Sequence, residues 1–172
     1  MKKLFALLLL ALIAVSCSTN NAGNMNSKTA MKIEKLRRFY DEVMNAHNPA
    51  LIDSFCTADF IDHQQDPHYP AGIEGLRAAF KDFFTGFPDL HITPNFIISQ
   101  GDSIVAQFTM TGTNSGPMMG MPATNKQVHI DGVDVLIIND DLKASEHWGY
   151  SEEMKMITQL GMMGNPSDST KK

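Results

Sequence analysis

Residues 103–113 read SIVAQFTMTGT, and residues 126–138 read KQVHIDGVDVLII. The first segment alternates apolar and polar side chains with a period of two, which is the pattern of a strand with one buried face. Its apolar positions are Ile104, Ala106, Phe108 and Met110. Gln100-Gly101-Asp102 precedes the segment as a turn, and a Gly/Met/Pro-rich loop separates it from the second. The pattern predicts two long antiparallel strands.

The second segment changes phase along its length. Its apolar residues occupy even positions through Ile130 and odd positions from Val133. A β-bulge near Gly132 would restore one continuous apolar face, so we expect one there. The bulge would also bring together three polar residues on the opposite face, namely His129, Asp131 and Asp134.

The rest of the chain surrounds these strands. Helical spacing of apolar residues predicts helices over about 31–47, 48–55 and 72–88, with a brief extended segment at 60–63 between the last two. Further strands are expected over 90–98 and 142–150, and Ser151 is expected to cap a closing helix. The predicted fold is α+β: a curved antiparallel sheet wrapped by helices, in a single domain. Such a sheet commonly leaves a cone-shaped cavity, which is the default ligand site.

The ends of the chain predict export and anchoring. Residues 1–16 combine a basic start with an apolar core too short for a membrane span, which is typical of a signal peptide. Cys17 stands where bacterial lipoproteins carry the lipidated residue, and the alternative is an ordinary secretory signal. Residues 17–29 are expected to form a flexible tether, 30–163 the domain and 164–172 a disordered tail. The predicted location is the bacterial cell envelope, periplasmic or outer-membrane, with the lipid as the only membrane contact.

Composition excludes several classes of function. The formal net charge is −5 and no basic run is present, so nucleic-acid binding is not expected. His63, Asp66 and His68 fall in a loop with two prolines and form no recognised ligand pair, so no metal site is predicted. The glycines form neither a phosphate-binding loop nor a dinucleotide fingerprint, and we expect no cofactor. Cys56 is expected to be a small core residue.

Nine short segments, in order, resemble the SnoaL-like polyketide cyclases, or ester cyclases, of the nuclear transport factor 2-like superfamily. They begin at Arg37, Phe60, Gly72, Phe87, Gly101, Thr111, Pro122, Glu146 and Gln159. The resemblance implies a cone-shaped α+β barrel, often dimeric through its sheet. It also implies cofactor-free intramolecular aldol cyclisation in which a carboxylic acid is the acid/base. Members often carry Asp directly after the strand tryptophan, where this chain has Gly149.

Three ionisable residues are the candidates for catalysis. Glu146 shares a strand face with Trp148, so it either lines the cavity as an acid/base group or pairs with a cation at the rim. His63 either points into the cavity mouth or is a structural histidine, and Asp62 beside it should face the other way. Asp134 lies in the pocket or faces solvent or a partner subunit. The expected pocket residues are Tyr40, Phe108, Met119, His129, Trp148 and Tyr150.

Three functions remain open at this point. The first is cofactor-free acid/base catalysis, as a cyclase, isomerase or hydrolase, on a small apolar carbonyl compound. The second is a lipid-anchored protein that binds a small apolar ligand without chemistry. The third is a sheet-mediated homodimer or interaction module. Met118, Met119 and Met121 suit the first two as a mobile apolar lid, and suit the third as a surface packed against another subunit.

Overall fold

The computed structural model describes residues 27–162. The helical elements are α1 (Ser27–Phe39), a π-helical continuation (Tyr40–Asn45), a 3₁₀ helix (Pro49–Ser54), α2 (Ile73–Gly86) and α3 (Glu153–Leu160). The strands are β1 (Cys56–Asp62), β2 (His91–Gln100), β3 (Ser103–Thr113), β4 (Gln127–Ile138) and β5 (Ala144–Ser151). The predicted fold class is confirmed: one α+β domain built on a curved, open sheet.

The five strands lie in the order β1-β5-β4-β3-β2. Strands β2 to β5 form an antiparallel meander, and β1 adds to the edge of β5 in parallel. The three α-helices and the concave sheet face all contribute side chains to one interior cavity, so the helices pack on that face. The parallel β1–β5 pair matters for function because it aligns Ile61 with Glu146 and Asp62 with His147.

Helix α1 is fixed at one end of the sheet by two lysines. Lys28 pairs with Asp140 in the β4–β5 turn. The Lys32 ammonium, although almost fully buried, bonds Asp102 in the β2–β3 turn at 2.5 Å. A buried ammonium is tolerated only when it is paired, and here the carboxylate supplies that partner. The start of α1 therefore lies beside the turns, at the end of the sheet opposite the β3–β4 connection.

The expected bulge near Gly132 is absent. Strands β3 and β4 pair without a register shift from Ser103↔Ile137 to Thr113↔Gln127, so the even positions of β4 all face the helices. A Cβ at residue 132 would lie 2.3 Å from Cζ of Phe108, which shows why the inward face carries a glycine there. The change from even to odd apolar positions along β4 arises because the outer face also carries apolar residues, beginning at Val133. Asp134 consequently points inward, whereas His129 and Asp131 lie on the outer face.

A register shift occurs instead at the start of β5. Ile138 pairs with Ala144 and Ile137 with Glu146, so Ser145 is the extra residue. The shift reverses the alternation of β5 after Ala144. His147 and Gly149 therefore face the cavity.

The remaining boundaries differ from expectation by a few residues. Helix α1 begins at Ser27, inside the stretch predicted as a tether. Ser151 ends β5 rather than capping α3, which begins at Glu153. The predictions for residues 1–16, Cys17 and 164–172 lie outside the described residues. Within 27–162, no helix has both the length and the hydropathy of a membrane span.

Candidate active site

A cavity of about 670 Å³ lies between the helices and the concave sheet face. This volume falls within the range of small-molecule sites, roughly 300–1,000 Å³. Most of its surface is apolar, and six phenylalanines contribute: Phe39, Phe55, Phe60, Phe80, Phe83 and Phe108. Exposed lining residues mark the opening, near Met119, Met121 and Ser151. A ligand that fills this space must be largely apolar.

One wall of the cavity carries a continuous chain of polar groups. The Tyr40 hydroxyl donates to Asp134 Oδ2 at 2.7 Å. Asp134 Oδ1 lies 3.2 Å from His147 Nε2, and His147 Nδ1 lies 3.2 Å from Asp62 Oδ1. The four groups come from the π-helical segment, β4, β5 and the end of β1, so the chain exists only when the sheet is complete. Metal ligation is not favoured, because both imidazole nitrogens face carboxylates and no cluster of three ligands occurs in residues 27–162.

The imidazole of His147 is held in its protonated form. Burial lowers its pKa, but hydrogen bonds to Asp134 and Asp62, together with their charges, raise it more, to about 9. Burial likewise opposes ionisation of Asp62, yet the hydrogen bond and charge of His147 hold the pKa of that carboxyl below its usual value. At neutral pH, His147 is therefore an imidazolium that donates from both ring nitrogens.

Tyr40 remains a neutral hydrogen-bond donor. Its ring is 1 % exposed, and burial raises the pKa of the phenol far above its usual value, with the Asp134 carboxylate adding to the effect. Asp134 therefore accepts hydrogen bonds from a phenol on one side and an imidazolium on the other. The arrangement combines a carboxylate base, a cationic acid and a neutral donor within one apolar space.

A second acid–imidazole pair lies on the outer face of the same strands. His63 Nε2 lies 2.9 Å from Glu146 Oε2, and the His63 ring stacks on Trp148 with ring centroids 4.1 Å apart. In sequence, Asp62-His63 and Glu146-His147 are two neighbouring pairs. Across the parallel β1–β5 pair, each acid contacts the histidine of the other dipeptide. Asp62 contacts His147 in the cavity, and Glu146 contacts His63 on the outer face of the sheet.

The structure divides the predicted site residues into two groups. Five line the cavity: Tyr40, Phe108, Met119, Asp134 and Tyr150. Four do not: His63, His129, Glu146 and Trp148. Glu146 and Trp148 were expected to line the cavity, but the register shift in β5 places them on the outer face. His129 was also expected in the pocket, but β4 is regular and His129 lies on its outer face.

Two residues of the polar wall were not predicted there. His147 was not singled out, because Glu146 was the residue of β5 expected to line the cavity, and the extra residue Ser145 brings His147 inward instead. Asp62 was expected to face away from the cavity. The one signal in the sequence was that both residues belong to acid–imidazole dipeptides that parallel pairing brings side by side.

Gly149 makes room for the imidazole. A Cβ at this position would lie 3.0 Å from His147 Cε1 and 3.7 Å from Asp134 Oδ1. Asp134 is also the direct cross-strand partner of Gly149. The carboxylate that relatives often carry after the tryptophan would thus point toward the space where Asp134 places its own. In this chain the carboxylate beside that position belongs to Asp134 of the neighbouring strand.

The mouth of the cavity is held by Asp82 of α2. Its Oδ2 accepts hydrogen bonds from the Tyr69 hydroxyl and the Met119 backbone N–H, both at 2.8 Å. Met118 is buried, with its side chain against Gly86, while Met119 and Met121 are exposed. The loop that carries these methionines therefore borders the opening, and the Asp82 carboxylate is one of its attachments to α2, beside the bond from the Gly116 N–H to the Gly86 carbonyl.

Sequence and fold comparisons agree with one another. The family model of the SnoaL-like polyketide cyclases matches residues 34–160. Among solved structures, a candidate polyketide cyclase from Bacillus cereus is 24% identical, with a TM-score of 0.70 over 82% of this chain and 87% of its own. A candidate SnoaL-like polyketide cyclase from Jannaschia is 23% identical, with a TM-score of 0.72 over 83% and 99%.

TsrD from Streptomyces laurentii is 25% identical, with a TM-score of 0.67 over 82% of this chain and all of its own. At these identities the solved structures support the fold rather than a shared substrate. A search of curated proteins finds no match.

Proposed function

Because this chain belongs to the SnoaL-like polyketide cyclase family, we propose that it is a cofactor-free acid/base enzyme acting on a small apolar carbonyl compound. The observation that carries the proposal is the chain of Tyr40, Asp134, His147 and Asp62 along one wall of an otherwise apolar cavity. Asp134 is the proposed base, and His147 the proposed acid.

The proposed reaction starts with removal of a proton from carbon. Asp134 takes the acidic proton next to a carbonyl and becomes neutral. The His147 Nε2–H and the Tyr40 hydroxyl, which had donated to the Asp134 carboxylate, then donate to the enolate oxygen instead. The enolate carbon attacks a second carbonyl of the same molecule, forming a C–C bond. The new alkoxide then takes a proton from His147, and the proton on Asp134 returns to the imidazole. The product is an isomer of the substrate, and the site is restored.

Two features favour these roles over a purely structural one. The raised pKa of His147 provides a charged donor at neutral pH, where a free histidine is mostly neutral. The apolar surroundings also strengthen the interaction between that charge and a developing enolate. Asp62 is the proposed positioning group, because it holds the second imidazole nitrogen.

Hydrogen–deuterium exchange tests the proton transfer without knowledge of the natural substrate. An apolar 1,3-diketone is incubated with the protein in D₂O, and loss of the α-proton signal is followed by NMR. Asp134→Asn should reduce enzyme-dependent exchange by about 100-fold, the low end for general base catalysis. Asp131→Asn, on the outer face of the same strand, is the matched control and should leave it unchanged. Equal exchange by Asp134→Asn and wild type contradicts the proposal.

Binding without chemistry is the second candidate, and the apolar lining favours it. A lipid-anchored binding protein would retain the ligand in Asp134→Asn and would show no exchange in either protein. Native mass spectrometry for a small molecule that co-purifies from the host distinguishes the two, provided that exchange is measured on the same sample.

We further propose that Cys17 is lipidated, that the protein lies in the cell envelope and that it forms a homodimer through the outer sheet face. On that face, one cross-strand row runs from Ile98 through Val105 and Val135 to Trp148, and Ile98 is 60% exposed. Val135→Lys should give monomers in sedimentation velocity, whereas a charge change at exposed Glu34 of α1 should not. A monomeric wild type rules out the dimer.

Lipidation of Cys17 is tested separately, by the intact mass of the protein after detergent extraction.

A further inference from the structure

Lys35 lines the cavity away from the polar wall formed by Tyr40, Asp134, His147 and Asp62. It lies on α1, five residues before Tyr40, which corresponds to about 7.5 Å along the helix axis at 1.5 Å per residue. Its ammonium lies 4.4 Å from the centroid of the Phe55 ring, and its side chain is half-buried. The cavity is also lined by Ile138 and Ala144, which lie at the end of the sheet that carries the β4–β5 turn.

The Lys35 ammonium has no acidic partner within residues 27–162, apart from a longer-range attraction to Glu42. By contrast, Lys32 pairs with Asp102, Arg77 with Asp53, and Lys155 with Glu152. The contact that its ammonium does make is a cation–π interaction with the Phe55 ring. Burial, and then the charge of nearby Arg38, lower the pKa of Lys35, so the surroundings favour an added negative charge.

The Lys35 ammonium and the acidic side chains lie in different parts of the cavity lining. Around Lys35 the lining is apolar, and Cys56 adds no charge because burial raises the pKa of its thiol to about 12. The acidic side chains lie at the polar wall and at the mouth, as Asp62, Asp134, Asp66, Asp82 and Glu153. With His147 protonated, Asp62 and Asp134 still leave one net negative charge at the polar wall. An anionic group of the ligand therefore meets a cation without a close carboxylate at Lys35, whereas the His147 imidazolium already faces Asp62 and Asp134.

We propose that the ligand carries a carboxylate that pairs with the Lys35 ammonium while its apolar body lies along the phenylalanine-lined cavity. This inference rests on the proposed function only in placing the reactive carbonyl near His147. Lys35 lies over the Phe55 ring, and the Phe55 carbonyl accepts the Ala144 N–H, so Lys35 is close to the start of β5. Along β5, Ala144 and His147 are three residues apart, which is about 10 Å at 3.3 Å per residue. The carboxylate and the reactive carbonyl are therefore separated by a distance on the order of 10 Å. The substrate class is an apolar keto acid.

A matched pair of probes isolates the charge. Dodecanoic acid and methyl dodecanoate are titrated into the full-length protein by isothermal calorimetry at neutral pH, below the concentration at which the acid forms micelles. The acid should bind about 10-fold more tightly than the ester, which is the size expected for one partly exposed charge pair. Lys35→Met, which keeps the apolar stem, should remove the difference. Lys81→Met, on α2 and away from the lining, should retain it.

Two outcomes overturn the inference: equal binding of acid and ester by wild type, or an undiminished preference for the acid in Lys35→Met. Circular dichroism melting of Lys35→Met verifies that the variant is folded, and its ester affinity serves as a second check that the cavity is intact. Failure of this inference is separable from failure of the proposed function. Asp134→Asn should retain the acid preference even though it loses α-proton exchange, and a protein with the preference but no exchange supports binding without catalysis.

Discussion

The pH dependence of stability should reveal the charge on His147. The pKa of this imidazole rises from the ordinary 6.5 to about 9 in the folded protein. A difference of about 2.5 pKa units, at 1.36 kcal/mol per unit, corresponds to about 3 kcal/mol of folding free energy. Because the folded state binds the proton more tightly, the stabilisation is complete below pH 6.5. It decreases as the pH rises and is lost above pH 9.

The measurement compares wild type with His147→Gln by urea unfolding at several pH values between 6 and 9.5. Other groups titrate in both proteins, so the difference in unfolding free energy isolates His147. We expect wild type to lose about 2–3 kcal/mol relative to the variant across this range, and the His147 ring protons to titrate near pH 9 by NMR. A difference that stays constant with pH, together with an NMR midpoint near 6.5, refutes the reasoning about the two carboxylates.

Three further substitutions test individual contacts. Tyr40→Phe removes one donor to Asp134 and should cost about 1–2 kcal/mol in urea unfolding and reduce α-proton exchange; unchanged values in both assays contradict its role. Asp82→Ala should increase protease cleavage near Met119 while leaving the melting temperature nearly unchanged, and an unaltered cleavage pattern argues against the carboxylate as a loop anchor. Gly132→Ala should destabilise the protein by about 1–3 kcal/mol because the methyl overlaps the Phe108 ring, and Gly112→Ala on β3, with its nearest atom at 3.3 Å, should cost less.

The sequence predicted the architecture well because period-two and helical patterns are local. The strand at 103–113 was predicted with its observed bounds, and the change from helices to strands after Pro88 is correct. These features depend on which residues alternate over five to ten positions. The fold class follows from them without knowledge of any long-range contact.

The site was predicted less well because side-chain direction depends on register. One extra residue at Ser145 exchanges the faces of β5, bringing His147 inside and leaving Glu146 outside. Conversely, an apparent phase change in β4 is produced by apolar outer-face residues, while the strand itself is regular. Parallel pairing of β1 with β5 is a long-range contact, and only that pairing joins Asp62 to His147.

The position of the first helix has a consequence for how an anchored molecule would be oriented. Lys28 and Lys32 fix the start of α1 to the turns at one end of the sheet, whereas the cavity opens at the other end, near Met119 and Met121. Strands of about 11 residues separate these ends by roughly 36 Å. The ten residues from Cys17 to Ser27 span at most about 36 Å when fully extended. A copy held at Cys17, as proposed, would carry its anchor at the end of the domain opposite the entrance, and the entrance would come to the level of the bilayer only with the tether at its full length.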